Sequence, residues 1–146
     1  MSAATDALVL EQFMPASPED VFGAWTTPGR MADWMSPMGH AEAEVDLRVG
    51  GAFRVVMVGD DSRIEHTGEY LEVDPPMRLV FTWSSPYTGP EPSVVTVELH
   101  PHDEGTRMVL THERLPVGVV ESHRGGWGSM LERLAEILSR EKKQPT

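Results

Sequence analysis

Cysteine is absent from the 146 residues. That removes disulfides, thiol nucleophiles and thiolate metal sites together, and it suits a reducing compartment. Positive charge is scarce as well: 12 Lys and Arg stand against 23 Asp and Glu, a formal net charge of −11. A field of that sign repels nucleic-acid phosphates and anionic lipid headgroups. Only the tail around Arg140, Lys142 and Lys143 interrupts it. No stretch approaches the roughly 18 consecutive apolar residues of a membrane span. Residues 1–13 lack the basic and apolar regions of a signal peptide. The expectation is a cytoplasmic protein with no nucleic-acid and no membrane partner. Catalytic signatures are missing too, with no G-x-S-x-G elbow, phosphate loop, dinucleotide fingerprint or H-E-x-x-H zinc motif. His112-Glu113 begins like the last of these, but Pro116 takes the second histidine position. His100-Pro101-His102-Asp103 has no second ligand cluster at metal spacing, so neither a metal nor another cofactor is expected.

Aromatic residues make up only 7% of the chain, yet they include four Trp, and nine Met accompany them. Methionine is flexible and polarisable, so it suits irregular cores and adaptable binding surfaces alike. A length of 146 residues, 40% hydrophobic and 24% charged, fits one domain with its core over about residues 7–140.

Residues 7–13 read as a strand. Ser17-Pro18-Glu19-Asp20 then supplies a helix start, with a capping hydroxyl, proline at the first helical position and acids at the positive dipole end. Thr27-Pro28-Gly29 repeats the signal for a second short helix. From residue 41 the period changes to two, where Ala41, Val45 and Leu47 alternate with Glu42, Glu44 and Asp46. Further strands are expected at residues 52–58, 63–73, 77–83, 93–100 and 106–114, separated by turns rich in Gly, Pro and Asp. After Pro116 a helix of about 20 residues carries Trp127, Met130, Leu131, Leu134 and Leu138 on one stripe. Short connections force an antiparallel meander, and only the last helix is long enough to cover its apolar face. The fold class is therefore α+β: a curved antiparallel sheet of about six to seven strands wrapped around a long C-terminal helix. Such a sheet splays from the helix at one end, which predicts a cavity between them.

His123 and Trp127 lie one helical turn apart beside the apolar stripe and should face the sheet. In the last strand Met108, Leu110 and His112 share a parity, so His112 is expected to point inward and approach His123. Two such histidines could polarise a carbonyl or share a proton, or could form a structural polar pair. Trp34, Met57, Phe81 and Trp83 are candidates for the concave wall. Glu69 shares the parity of Leu71 and Val73, which turns it inward, where a carboxylate needs an Arg or His partner. A bulge near Gly68 would reverse it. Gly125, Gly126 and Gly128 cost roughly 1 kcal/mol each within a helix. Close approach to the sheet or room for a ligand would offset that, and local bending or 3₁₀ character is expected.

Three stretches of this sequence resemble a known family: residues 18–25 (PEDVFGAW), residues 46–54 (DLRVGGAFR) and residues 68–83 (GEYLEVDPPMRLVFTW). His123 with Gly126-Trp127 adds to the likeness, which spans about residues 8–140. The chain resembles the START-related SRPBCC superfamily, and within it the domain of activators of the 90-kDa heat-shock-protein ATPase and their bacterial relatives. The resemblance implies a helix-grip fold that holds a small hydrophobic molecule between sheet and helix. It also implies two alternatives: a cyclase, aromatase or hydrolase working through His123 with Glu69 or His112, or a partner of the chaperone. The activators carry a further domain that grips the chaperone and is not seen in this sequence. Fold does not decide among these, and the sequence leaves monomer and homodimer both open. The expectation is a binding protein whose ligand contacts include His123, Trp127, His112, Trp83, Phe81, Met57, Trp34 and Glu69.

Overall fold

The computed structural model describes residues 5–36 and 40–143. Strand β1 (Thr5–Met14) is followed by helices α1 (Pro18–Thr26) and α2 (Pro28–Trp34). Strands β2 (Ala41–Val45), β3 (Ala52–Val58), β4 (Arg63–Asp74), β5 (Arg78–Trp83), β6 (Ser93–His102) and β7 (Gly105–Pro116) come next. A 3₁₀ turn (Val117–Val119) then leads into helix α3 (Val120–Lys143). This is the α+β order that the sequence implies. Ser17 caps α1 as expected, its Oγ accepting the Asp20 backbone N–H at 3.2 Å. Thr27 opens α2 without such a bond, and Pro28 alone presets its first turn.

The strands form one antiparallel sheet in the order β1-β7-β6-β5-β4-β3-β2. Strands β2 to β7 are the meander that short turns impose. At the other end β1 lies beside β7, with Val9 opposite Thr111. Strand β2 stops at Val45, short of the predicted Leu47, because Gly50 adopts φ 84° and turns the chain back. Leu47 is consequently 41% exposed, not inward-facing.

Strand β4 joins the two halves of the sheet. Its first half pairs with β3 and its last residues with β5, with a register shift between Tyr70 and Glu72. At Gly68 a Cβ would stand 1.9 Å from the Thr82 carbonyl oxygen and 2.5 Å from the Phe53 ring. Only glycine lets the two strands approach that closely.

Helix α3 lies in the resulting hollow. Val120, Trp127, Met130, Leu131, Leu134 and Leu138 are buried along it, the stripe read from the sequence. Arg30 of α2 ties α1 to α3 through Asp20 at 3.0 Å and Glu141 at 3.1 Å. The expected 3₁₀ character is absent at these glycines, since α3 runs through Gly125, Gly126 and Gly128 as one α-helix. The 3₁₀ turn lies ahead of them, around Gly118. Nor do they pack closely: nothing lies within 4 Å of where a Cβ would stand on any of the four.

Candidate functional site

The first half of α3 stands away from strands β3, β4 and β5, leaving a chamber of about 300 Å³. Met57 of β3, Ile64 and His66 of β4 and Trp83 of β5 form its floor. Ser122, His123, Gly126, Trp127 and Met130 of α3 form its roof, and the missing Cβ of Gly126 leaves part of that roof open. Tyr87, from the β5–β6 connection, borders the mouth and is 56% exposed. The lining is mainly aromatic and thioether, and among the described residues it contains no Lys, Arg, Asp or Glu.

One hydrogen-bond relay fixes the roof to the sheet. The Trp127 indole N–H donates to His112 Nδ1 at 3.0 Å. Ser93 Oγ lies 2.7 Å from His112 Nε2 and donates its own proton to the Trp83 carbonyl at 2.7 Å. With Nδ1 accepting and the serine proton already used, the proton of neutral His112 must sit on Nε2 and point to Ser93. Every group in the relay is then satisfied. Burial, together with the charge of His123, pushes His112 down to about 3, so the ring stays neutral.

His123 is oriented differently. Its Nδ1 lies 2.8 Å from the Val119 carbonyl oxygen, which can only accept, so Nδ1 carries the proton. In the neutral ring Nε2 is then left as the acceptor. The rings of His112 and His123 stand perpendicular with centroids 5.4 Å apart. His66, 5% exposed, stacks on Trp83 at 4.7 Å, and burial pushes it down to about 4. Two buried side-chain polar atoms among the described residues have no partner: His66 Nδ1 and Trp83 Nε1. Both belong to rings that line the chamber. Both nitrogens are closed off inside the wall, so what these two rings present to the chamber is their ring surface.

Of the predicted contacts, His123, Trp127, Trp83 and Met57 come together around this space. The other four do not. His112 points inward as expected but lies behind Trp127, wholly buried with both nitrogens committed, so it cannot share a proton with His123. Trp34 is core: its ring meets Trp25 at 4.6 Å and its N–H donates to the Ala24 carbonyl at 2.9 Å. Phe81 faces the interior beneath Trp25, away from the chamber. Glu69 is exposed and borders an open groove on the outer face with Arg54 and Thr82. Leu71 and Val73, whose parity it shares in the sequence, lie beyond Tyr70, whereas the stretch entering the chamber alternates Ile64, His66, Gly68 and Tyr70 inward. Leu71 is itself 44% exposed. His66, Ile64, Tyr87, Ser122 and Met130 were not among the predicted contacts. The apolar residues Ile64 and Tyr70, set against charged Arg63, Glu65 and Glu69, were the available signal for His66. For proton transfer this leaves His123 as the candidate, with both His112 nitrogens committed and Glu69 on the outer face.

The profile of the family described as "Activator of Hsp90 ATPase homolog 1-like protein" matches residues 15–139. Among solved structures, protein CV1439 from Chromobacterium violaceum is 28% identical, with TM-score 0.82 over 91% of this chain and 96% of its own. PFC0360w, an HSP90 activator from Plasmodium falciparum, is also 28% identical, with TM-score 0.76 over 92% of this chain and 96% of its own. CalU16 from Micromonospora echinospora, 24% identical, shares the fold with TM-score 0.72 over 97% of this chain and 87% of its own. No curated protein matches the chain by sequence.

Proposed function

The chain belongs to the family of activator of Hsp90 ATPase homolog 1-like proteins, and on that premise we propose that it binds a small, uncharged hydrophobic or aromatic molecule under α3. The observation that carries this reading is the open roof at Gly126 over a chamber of about 300 Å³, the lower end of the usual ligand-pocket range. A solid core would have filled that volume. Charge on the ligand is disfavoured because no Lys or Arg among the described residues lines the chamber and burial keeps His66 neutral. Trp127 and Trp83 offer contact area, and His123 orients a polar group at the rim. One chain builds the whole chamber, so the reading holds for a monomer and a homodimer alike. The proposed setting is the cytosol; no helix among the described residues is long and apolar enough to cross a membrane. The test is saturable binding of the neutral probe N-phenyl-1-naphthylamine, displaced by specific small molecules and lost in Gly126→Leu. Binding that persists unchanged in that variant places the probe elsewhere and removes the reading.

A second reading is carried by the 28% identity to the Plasmodium falciparum HSP90 activator. In it the chain stimulates a chaperone ATPase of that class through apolar residues left in water, Leu47, Val49 and Leu71. Adding micromolar chain to the purified chaperone tests it. An unchanged ATPase rate disposes of it.

A further inference from the structure

All four tryptophans are buried, and three have the indole N–H fastened. Trp25 donates to Met108 Sδ at 3.4 Å, Trp34 to the Ala24 carbonyl at 2.9 Å, and Trp127 to His112 at 3.0 Å. The N–H of Trp83 has no partner. The position of this ring is also distinctive. It walls the chamber on one side, and on the other it walls a separate void of about 10 Å³, close to the space of one water. Met31, Met35, Phe53, Tyr70 and Phe81 are among the residues that line that inner void, and among the described residues only Trp83 borders both spaces.

We infer that Trp83 is a movable partition, and that behind it the site has a second compartment for the aliphatic tail of an elongated, uncharged ligand. This rests on the chamber being a ligand site. The ring is held by contacts without direction: His66 at 4.7 Å, Trp127 at 5.1 Å and Phe53 at 6.0 Å between centroids. On the far side stand two methionines, whose unbranched thioether chains repack at low cost. When the indole swings aside from between the two spaces, the room it vacates joins the inner void to the chamber and lengthens the site. A compact bicyclic molecule fills the chamber and leaves Trp83 in place. A straight chain ending in one hydroxyl or carbonyl uses both compartments, and its oxygen can accept the free indole proton. Among the described residues no Lys or Arg lines either space, so a carboxylate head is not the class expected.

The experiment compares the wild type with Met35→Phe, which fills the inner void from the far side. Straight-chain alcohols from hexan-1-ol to tetradecan-1-ol displace N-phenyl-1-naphthylamine, and Kd is measured for each. Kd should fall about fourfold per added methylene until the site is full. That limit should come about two carbons later in the wild type than in Met35→Phe, with equal Kd for the shortest alcohols. Limits at the same chain length overturn the second compartment while the chamber reading stands. A wild type that binds neither probe nor alcohol overturns both. Independently of the variant, the indole N–H resonance of Trp83 should shift with dodecan-1-ol and not with hexan-1-ol, while those of Trp25 and Trp34 stay still. A stationary Trp83 resonance in the presence of bound dodecan-1-ol also overturns the partition.

Discussion

Trp127 gives its indole N–H to His112 Nδ1 across 3.0 Å, and this one bond settles what each ring offers a ligand. The tryptophan turns its polar edge to the sheet and leaves ring surface for the chamber. The histidine is withdrawn from chemistry altogether. Replacing Trp127 by Phe keeps most of the apolar volume but strands a buried acceptor, for a loss of about 1–3 kcal/mol. Ser93→Ala strands the Nε2 proton of the same ring, at a similar cost. Because both act on one relay, the double variant should lose less than the sum. Urea unfolding measures all three. Strict additivity shows that the relay does not act as a unit.

The buried histidines also give stability a pH dependence of known sign. An unfolded histidine protonates near pH 6.5, whereas burial holds His66 down to about 4 and His112 down to about 3. Between those values the unfolded chain binds more protons than the fold, so stability rises with pH across the window and is fully present above it. Each histidine contributes a slope of about 1.4 kcal/mol per pH unit within its window. His66→Phe, which preserves stacking on Trp83, should reduce the slope between pH 4 and 6.5 by about one proton. Denaturation midpoints at several pH values give the comparison, and identical slopes would show that His66 titrates normally.

Gly126 separates stability from binding. A methyl group there meets nothing within 4 Å, so Gly126→Ala should gain about 1 kcal/mol of helix stability and raise Tm by about 3 °C. Gly126→Leu should keep the fold and abolish probe binding. Calorimetry and fluorescence titration on the same samples test both statements. An alanine variant that melts lower means the glycine serves the backbone instead.

Gly68 should behave in the opposite way. Its Cβ would meet the Thr82 carbonyl oxygen at 1.9 Å, a backbone atom that cannot swing aside. Gly68→Ala should cost about 3 kcal/mol or force β4 and β5 apart. Equilibrium unfolding reads the first outcome, and amide exchange of Thr67, which bonds the Ser84 carbonyl at 2.9 Å, reads the second.

Much of this architecture was legible because local signals and global packing agreed. The Ser17 cap, the α3 stripe and the inward parity of His112 each follow from spacing, and each is present. Parity failed in β4, where a register shift after Tyr70 separates residues that looked alike in the sequence. Glu69 thus went to the wrong face and His66 was not placed. Trp34 and Phe81 were indistinguishable from chamber residues because an aromatic ring on a concave wall and one in the core have the same neighbours in sequence. Tyr87 sits in an irregular connection, where periodicity carries no information.

The pairing of β1 with β7 has a consequence for synthesis. Leu8, opposite His112, cannot meet its partner strand until more than a hundred residues have followed it from the ribosome. The nascent chain therefore carries Leu8, Leu10 and Met14 without their native cover until β7 is made. Such long-range closure makes for slow folding. This protein should draw on holdase assistance early in its life, whatever it does once mature.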